Sequence, residues 1–311
     1  MFDTYILYPF LIVSNLVVHR YNVFMSFPIK DVATAEFPAL LREIPQPPKS
    51  LNYRGVLPPA DITLLSVVGS RKYSSYGKQA VDDLIGGLRG YPVGIVSGLA
   101  LGIDSLAHEA ALAAQLYTLS IPGSGLDDSV LYPATHRALA RRILEAGGGL
   151  LSEFEPTFEA TTWSFPQRNR LVAGISKATL LIEAAEKSGT LITARLATDY
   201  NRELMVVPGS IFSKTSAGVH QFLKLGATPV TTPKDIVEVL GIAEQVAAVA
   251  KPLPPLSERE TLVITLLTEP RHRDELIRHL NLNTAEAAQL LMMMELNNMI
   301  ASHDNFYRSL L

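Results

Sequence analysis

The stretch LLSVVGSRKYSSYGKQAVDDLIGGLRGYPVGIVSGLALGIDSLAH, residues 64–108, decides the fold of this chain. It starts with an apolar strand pattern over 64–68, continues with a helical pattern over 76–88, and returns to an apolar strand pattern over 93–96. Two strands joined by a crossover helix form a βαβ unit, in which the strands run parallel. Each strand leads through a glycine-containing turn into a helix, whose unpaired N–H groups and dipole favour an anion such as a phosphate.

Composition limits the classes of protein to which the chain can belong. Of its 311 residues, 48% are hydrophobic and 18% are charged, which is typical of a globular protein and not of a disordered one. The formal net charge of −3 gives no overall attraction to nucleic acid, so an anion site has to be a local patch. The chain contains no cysteine, which excludes disulfides and a thiol nucleophile and is typical of a reducing cytoplasm.

The first residues do not predict a membrane segment. The apolar run over residues 5–18 is interrupted by Pro9, Ser14 and Asn15, and it is shorter than the ~20 residues that a spanning helix needs. We interpret residues 1–24 as an uncertain segment, with Met25 as a candidate biological start. Residues 25–59 are rich in proline and predict an extended lead-in, with a short strand at residues 53–55 before the sheet.

Residues 60–241 predict one large α/β domain. About seven apolar strand patterns alternate with helical patterns over this range. The strand over 178–184 is an almost unbroken apolar run, as a sheet covered on both faces requires. The sequence therefore predicts an extended, Rossmann-like, doubly wound and mostly parallel sheet. We expect the segment over 165–170 to end a loop, with a helix following near 171–175.

A smaller winged-helix-like α+β domain is expected at residues 257–311, after a linker rich in alanine and proline at 242–256. Ser257 and Glu260 form a capping-box pattern at the start of a helix, and two further helical patterns precede a terminal hairpin. The third helix, expected over 284–299, contains no lysine or arginine but three consecutive methionines. Because a DNA-reading helix presents basic or amide side chains, we predict a protein-contact or packing role for this domain.

Five loops of the predicted sheet combine glycine with serine, threonine or arginine after a strand. They are residues 69–71, 97–102, 123–125, 188–190 and 209–210. Parallel strands bring such loops to the same edge of a sheet, so together they predict a phosphate-binding face. Neither a Walker GxxxxGK[ST] loop nor a GxGxxG fingerprint occurs in the sequence, which argues against NTP hydrolysis and dinucleotide redox chemistry.

The segment FPQRNR, residues 165–170, combines an aromatic ring with two guanidinium groups. Arginine can bind phosphate and phenylalanine can stack on a base, so the pattern suits a nucleic-acid strand. The alternative left open is that Phe165 belongs to the core and that the arginines pair with Glu153 or Glu155.

Candidates for acid–base chemistry are few. Asp104 and His108 are four residues apart and share one helix face. We interpret them as an aspartate in the first turn that hydrogen-bonds a packed histidine, in preference to a metal or acid–base pair. Glu183 and Glu186 are the other acidic candidates, and no serine lies in a GxSxG elbow. No catalytic residue, no metal site and no cofactor is predicted.

Many short motifs between residues 64 and 240 resemble, in order and spacing, those of the DprA/Smf DNA-processing family. They include VGSR at 68–71, SGLALGID at 97–104, GSGLD at 123–127, YP at 132–133, FPQRNR at 165–170, SGTLITA at 188–194 and VPGS at 207–210. The resemblance implies a cytoplasmic protein that binds single-stranded DNA and loads the RecA recombinase onto it in natural transformation, without catalytic turnover. It also implies a homodimer, and we expect the apolar residues near 219–225 to contribute to it.

The loop patterns and the resemblance together predict one DNA site. Its residues are Ser70, Arg71, Gly98, Gly123, Ser124, Gly125, Phe165, Arg168, Asn169, Arg170 and Lys187. Two other classes of function stay open, a nucleotide-cleaving enzyme of the lysine-decarboxylase-like (LOG) group and a sensor that binds a free nucleotide. A gel shift with a single-stranded oligonucleotide, run beside a nucleotide hydrolysis assay, separates these classes.

Overall fold

The computed structural model describes residues 27–242 and 256–309, except for residues 281, 298 and 304. Its contacts divide the chain into two units, Met1–Gln245 and Val246–Leu311. The expected N-terminal segment 1–24 and most of the expected linker 242–256 lie outside the described residues.

The described part of the first unit is built on one mixed sheet with helices on both faces. Its strands are β1 (Lys30–Asp31), β2 (Asn52–Gly55), β3 (Thr63–Val68), β4 (Val93–Ser97), β5 (Tyr117–Ser120), β6 (Gly149–Ser152), β7 (Ala178–Leu181), β8 (Glu203–Val206) and β9 (Thr228–Pro229). Its α-helices are α1 (Ala39–Arg42), α2 (Ser75–Gly86), α3 (Ile103–Ala113), α4 (Arg137–Glu145), α5 (Ser164–Ile175), α6 (Thr190–Asp199), α7 (Ala217–Lys224) and α8 (Pro233–Val239).

The strand order in this sheet is β1-β2-β6-β5-β4-β3-β7-β8-β9. All neighbours from β6 to β9 pair in parallel, whereas β1 with β2 and β2 with β6 pair antiparallel. The prediction of a mostly parallel, doubly wound α/β sheet is therefore confirmed. The chain leaves β3 toward β4, β5 and β6, and then returns with β7 to the other side of β3. In open α/β sheets, ligands bind at the carboxyl ends of the strands where the order reverses in this way.

The short strand expected at residues 53–55 is confirmed as β2, but it joins the sheet, and the expected extended lead-in adds a further antiparallel strand, β1. Arg54 anchors β2 by donating hydrogen bonds to the carbonyl oxygens of Phe27 (3.0 Å) and Leu126 (2.8 Å). Its guanidinium also pairs with Asp128 at 2.6 Å. Strand β1, with two residues, is too short for an alternation of apolar and polar side chains to be recognised in the sequence.

Two apolar clusters cover the faces of the sheet, as the doubly wound fold requires. The first packs α2, α3 and α8 against one face, and the second packs α1, α5, α6 and α7 against the other. Within β3, Leu65 and Val67 belong to the first cluster and Val68 to the second, because successive side chains of a strand point to opposite faces.

Helix α5 corrects one prediction, since the segment over 165–170 does not end a loop but forms the first two turns of this helix. Ser164 fixes the start: its Oγ donates to the carbonyl of Gly123 (2.6 Å) and accepts from the N–H of Thr161 (3.0 Å). Pro166 fits into the first turn, where a helix needs no N–H donor. The helical spacing places Phe165, Arg168 and Asn169 on one side.

The described part of the second unit confirms the expected winged helix. It contains α9 (Glu258–Leu266), β10 (Arg271–His272), α10 (Arg273–His279), α11 (Thr284–Leu296), β11 (Ile300–His303) and β12 (Phe306–Ser309), with the strand order β10-β12-β11. Ser257 and Glu260 form the predicted capping box of α9. Val263, Leu276 and Leu291 hold the three helices together in one buried cluster. Neither unit contains, in its described ranges, a helix with the length and apolar character to cross a bilayer.

Candidate functional site

A cleft of about 800 Å³ opens at the carboxyl edge of the parallel strands, on the point where the strand order reverses. Its walls are the loops that follow β3, β4 and β7, together with the beginning of α5. The lining includes Gly69, Ser70, Arg71, Lys72, Gly98, Ala100, Asp104, Phe165, Arg168, Asn169, Ser188, Gly189, Thr190 and Thr215. Three of the five predicted loops thus meet in one cavity, whereas residues 123–125 and 209–210 do not line it.

The loop after β3 presents an exposed arginine. Ser70 Oγ accepts from the N–H of Lys72 (3.0 Å) and donates to its carbonyl (2.7 Å), which closes a tight turn around Arg71. The Arg71 guanidinium lies 5.5 Å from the ring centroid of Phe165, a cation–π distance. Within the described residues Arg71 forms no ion pair with a carboxylate, so its charge is available to a ligand.

The Phe165 ring pairs with the ring of Tyr132 and packs against the backbone of Gly123. Its ring centroid lies 5.5 Å from that of Tyr132, whose side chain is exposed. A Cβ added to Gly123 would come within 2.6 Å of the Phe165 ring, so only glycine lets the ring occupy this place. Gly123 therefore supports the site without lining it.

The rest of the loop after β5 is also buried. Ser124 Oγ donates to the carbonyl of Gly125 (2.9 Å) and accepts from the N–H of Tyr132 (3.2 Å). Gly125 packs against the carbonyl oxygens of Glu155 and Pro156, leaving no space for a side chain. Because the segment after β6 covers this loop, its N–H groups do not form an open anion cradle.

Arg168 lies at the floor of the cleft and is only 4% exposed. Its guanidinium donates to the carbonyl oxygens of Gly98 and Ile121, which ties the loops after β4 and β5 to α5. Burial lowers the pKa of Arg168 to about 10, and the nearby Asp104 opposes this shift. Arg168 therefore stays charged at neutral pH, with its donors directed to the protein.

Asp104 is a buried carboxylate near this arginine, and the two charges interact without a direct ion pair. Its carboxylate accepts from the N–H groups of Gly98 (3.1 Å) and Ala100 (3.4 Å). Burial raises the pKa of Asp104, while the charge of Arg168 and these two N–H groups lower it. The pair thus fixes the backbone of the loop after β4 from both sides.

The interpretation of Asp104 and His108 as a hydrogen-bonded pair is wrong. His108 is fully buried, and its Nδ1 lies 2.7 Å from Thr118 Oγ1, whereas Asp104 bonds to loop amides. Burial, with smaller contributions from His136 and Arg168, lowers the pKa of His108 to about 3. His108 is neutral at physiological pH and is a core residue.

The neighbouring residues of the FPQRNR segment have different surroundings. Asn169 is half-buried, lines the cleft, and its Oδ1 accepts from Arg168 Nε at 3.3 Å. Arg170 forms an ion pair with Glu153 and donates to the carbonyl of Gln46, outside the cleft lining. The alternative left open from the sequence, pairing with Glu153, is therefore what Arg170 does.

The loop after β7 closes the other wall. Thr190 Oγ1 donates to the carbonyl of Gly69 (2.9 Å), which joins this wall to the loop after β3. Gly189 has open space around it, and Lys187 is exposed in the same loop. The buried Glu183 accepts from Ser74 Oγ (2.6 Å) and Thr215 Oγ1 (2.8 Å), so its carboxylate braces α2 and the loop after β8.

Sequence reasoning missed Lys72, Tyr132 and Thr215 as site residues. Lys72 directly follows Arg71, and a second cation in the same turn was a usable signal. Tyr132 lies in the YP motif, but nothing in the sequence indicates that it meets Phe165, which is far from it along the chain. Thr215 belongs to a loop whose path the sequence does not reveal.

A doubly wound α/β unit with an open cleft at its switch point, joined to a winged helix, defines a two-domain ligand-binding protein. Residues 29–241 match the family model described as DNA recombination-mediator protein A, and residues 247–305 match that of the DprA winged helix domain. The chain belongs to the DNA recombination-mediator protein A family.

Relatives and solved structures agree with this assignment. The chain is 37% identical to Protein Smf of Escherichia coli over 73% of its own length and 65% of that protein, so it spans just under two thirds of that relative. It is 37% identical to DNA processing protein DprA of Streptococcus pneumoniae, covering 70% of this chain and 76% of that one.

Two solved structures share the fold. The X-ray structure of Streptococcus pneumoniae DprA has a TM-score of 0.63 and 35% identity, and covers 69% of this chain and 75% of that chain. A Helicobacter pylori DprA structure, described for its single-stranded DNA binding mode, has a TM-score of 0.60 and 29% identity. It covers 69% of this chain and 96% of that one.

Proposed function

We propose that the cleft binds single-stranded DNA and that the chain acts as a recombination mediator that delivers this strand to RecA. The observation that carries the proposal is the exposed Arg71 guanidinium beside the rings of Phe165 and Tyr132, at the mouth of a cleft lined by glycine-rich loops. The single-stranded DNA binding described for the Helicobacter pylori relative supports it.

The chemistry of the cleft suits a single strand. A guanidinium can hold two phosphate oxygens at once, and an aromatic ring provides a stacking face that every base can use. The cleft combines both beside open backbone at Gly189, and Lys72 adds a second cation. Because the lining offers no helix shaped for the major groove, recognition is independent of sequence and depends on unstacked bases.

The predicted site residues divide into two groups in this proposal. Ser70, Arg71, Phe165 and Asn169 line the cleft and contact the strand directly, and the exposed Lys187 contacts a phosphate beyond its edge. Gly98, Gly123, Ser124, Gly125, Arg168 and Arg170 hold the loops and α5 in position, since their polar groups already have protein partners or their lack of a side chain makes room for a neighbour.

In this proposal the protein binds DNA in the cytoplasm and has no catalytic turnover. The buried carboxylates beside the cleft, Asp104 and Glu183, accept hydrogen bonds from loop amides and hydroxyls and so serve the architecture. We also propose a homodimer. Val219 and Phe222 are core residues, so the dimer depends on Leu225, which is 80% exposed at the end of α7 beside the edge strand β9.

Fluorescence anisotropy with labelled oligo-dT tests the proposal, with a duplex of the same length as the comparison. We expect tighter binding to the single strand and a log–log salt slope of about −3 for four or five phosphate contacts. A nucleotide hydrolysis assay on the same preparation tests the nucleotide-cleaving alternative, and binding of a labelled free nucleotide tests the sensor. Tighter binding to duplex, a salt slope near zero, or nucleotide turnover without oligonucleotide binding would contradict the proposal.

A further inference from the structure

Two large apolar side chains project from the β8–α7 loop, which comprises residues 207–216. Ile211 is 80% exposed and Phe212 is 91% exposed. Single exposed apolar residues are common on protein surfaces and do not indicate a binding site. Two adjacent exposed apolar side chains at a loop tip beside a cleft indicate a surface that contacts a ligand.

The backbone of this loop is anchored, so the two side chains are held outward. Tyr76 Oη donates to the carbonyl of Pro208 (2.5 Å), which fastens the first part of the loop to α2. Ser210 closes the tip, since its Oγ accepts from the N–H of Phe212 (3.2 Å) and its carbonyl accepts from the N–H of Ser213 (3.0 Å). A ring on an anchored turn is ready for contact before a ligand arrives.

The tip is also close to the cleft. Thr215 lines the cleft, and its Oγ1 lies 2.8 Å from Ser213 Oγ. Phe212 is three residues before Thr215, so their backbones are at most about 10 Å apart even if the chain between them is fully extended. A strand that leaves the cleft past Thr215 therefore passes within about 10 Å of the Phe212 backbone.

The charges around the tip favour a polyanion. Lys214 is exposed two residues after Phe212, and the exposed Lys72 and Lys187 flank the cleft. Tyr73 and Tyr76, both partly exposed, add rings at the start of α2. The exposed carboxylate in these loops is Glu186, beside Lys187, and Glu183 is buried and fully engaged. Cations interleaved with aromatic rings are typical of a surface that tracks a single strand.

We propose that the β8–α7 loop is a second contact region for single-stranded DNA, in which a base leaving the cleft stacks on Phe212. The inference rests on the proposed function of the cleft and extends its footprint. Ile211 covers the edge of the stacked base, and Lys214 binds the adjoining phosphate.

Substitutions at Phe212 separate stacking from other uses of an apolar tip. Phe212→Leu keeps an apolar side chain and removes the ring, whereas Phe212→Trp keeps a ring. A protein partner or a second copy of this chain would tolerate leucine, but a stacked base would not. Because Phe212 is almost fully exposed, neither variant is expected to disturb folding.

The experiment measures affinity for labelled oligo-dT of about 16 nucleotides, at the upper end of site sizes for such surfaces. Phe212→Leu is expected to weaken binding about five- to hundred-fold, the fold-change that corresponds to one stacked base. Phe212→Trp is expected to bind like the wild type. On an oligonucleotide of the same length with abasic positions, wild type and Phe212→Leu are expected to bind equally.

Three results would overturn the inference. They are unchanged binding by Phe212→Leu, a loss that persists on the abasic strand, and a fall in molar mass of a polar Phe212→Ser variant in light scattering, which would assign the tip to self-association. If the wild type fails to bind oligo-dT, the proposed function fails as well. If Arg71→Ala weakens binding and Phe212→Leu does not, DNA binding in the cleft is supported and only the second contact region is wrong.

Discussion

Replacing Arg71 by alanine is the most direct test of the cleft. A lost hydrogen bond to a charged group costs about 1.5–3 kcal/mol, which lowers the affinity for single-stranded DNA roughly ten- to hundred-fold. Folding depends on Arg71 far less, because this exposed side chain contributes one cation–π contact, to Phe165. Such an exposed contact contributes about 0.5–1 kcal/mol, so the melting temperature is expected to fall by a few degrees at most.

Anisotropy titrations with oligo-dT at several salt concentrations measure this effect. The magnitude of the log–log salt slope is expected to fall by about 0.7 for the lost phosphate contact. Arg71→Lys is expected to recover only part of the affinity, since an ammonium cannot form the two-pronged contact. Arg89→Ala is the matched control, because Arg89 follows the end of α2 and therefore lies at the opposite edge of the sheet.

Two results would refute the reasoning. If Arg71→Ala binds oligo-dT with wild-type affinity while the protein stays folded, the strand does not pass through this cleft. If Arg71→Ala unfolds, Arg71 is a structural residue, and the interpretation of an available charge is wrong. Thermal unfolding followed by circular dichroism, on the same samples, distinguishes the two.

Arg168→Met removes the guanidinium donor from the carbonyl oxygens of Gly98 and Ile121 and is expected to cost about 2–6 kcal/mol in total, or roughly 4–24 °C in melting temperature. An Arg168→Met variant that melts like the wild type would contradict the role of Arg168 in holding these loops. Gly123→Ala places a methyl group within 2.6 Å of the Phe165 ring and is expected to weaken DNA binding several-fold, whereas Gly86→Ala, with open space around it, is expected to be neutral. Equal affinity of the two alanine variants would show that the ring position is unimportant. His108 binds a proton near pH 6.5 when unfolded but only near pH 3 when folded, so its contribution to stability is complete above pH 6.5 and is lost as the pH falls toward 3. His108→Gln is therefore expected to flatten the fall of melting temperature between pH 6.5 and 4, and an unchanged slope would assign that fall to other groups.

The sequence predicted the layers of the fold well, because parallel strands covered on both faces leave long apolar runs such as residues 178–184. It also predicted the loops after β3, β4 and β7, whose glycines follow those strands directly. It predicted strand β2 at residues 53–55 but not strand β1, since two residues show no periodicity. It also could not predict that Arg54 anchors β2, because its partners are distant in sequence.

The two arginines of the FPQRNR segment show why site residues are harder to predict than elements. Their types indicate phosphate binding, but their direction depends on where α5 begins. Because the helix begins at Ser164, Arg168 points under the loops after β4 and β5, and Arg170 points toward Glu153. Sequence spacing alone cannot separate a cation that faces solvent from one that holds the backbone.

The hydroxyl of Thr190 that bonds to the Gly69 carbonyl has a consequence for how a strand enters the cleft. It joins the two walls across the switch point, so we expect the cleft to change little on binding and the lost conformational entropy to come mainly from the DNA. A strand whose bases are already unstacked loses less on entry than one that must first give up its own stacking. If the cleft binds DNA as proposed, we expect a modest preference for pyrimidine-rich over adenine-rich strands, which comes from the flexibility of the ligand while no contact reads a base edge.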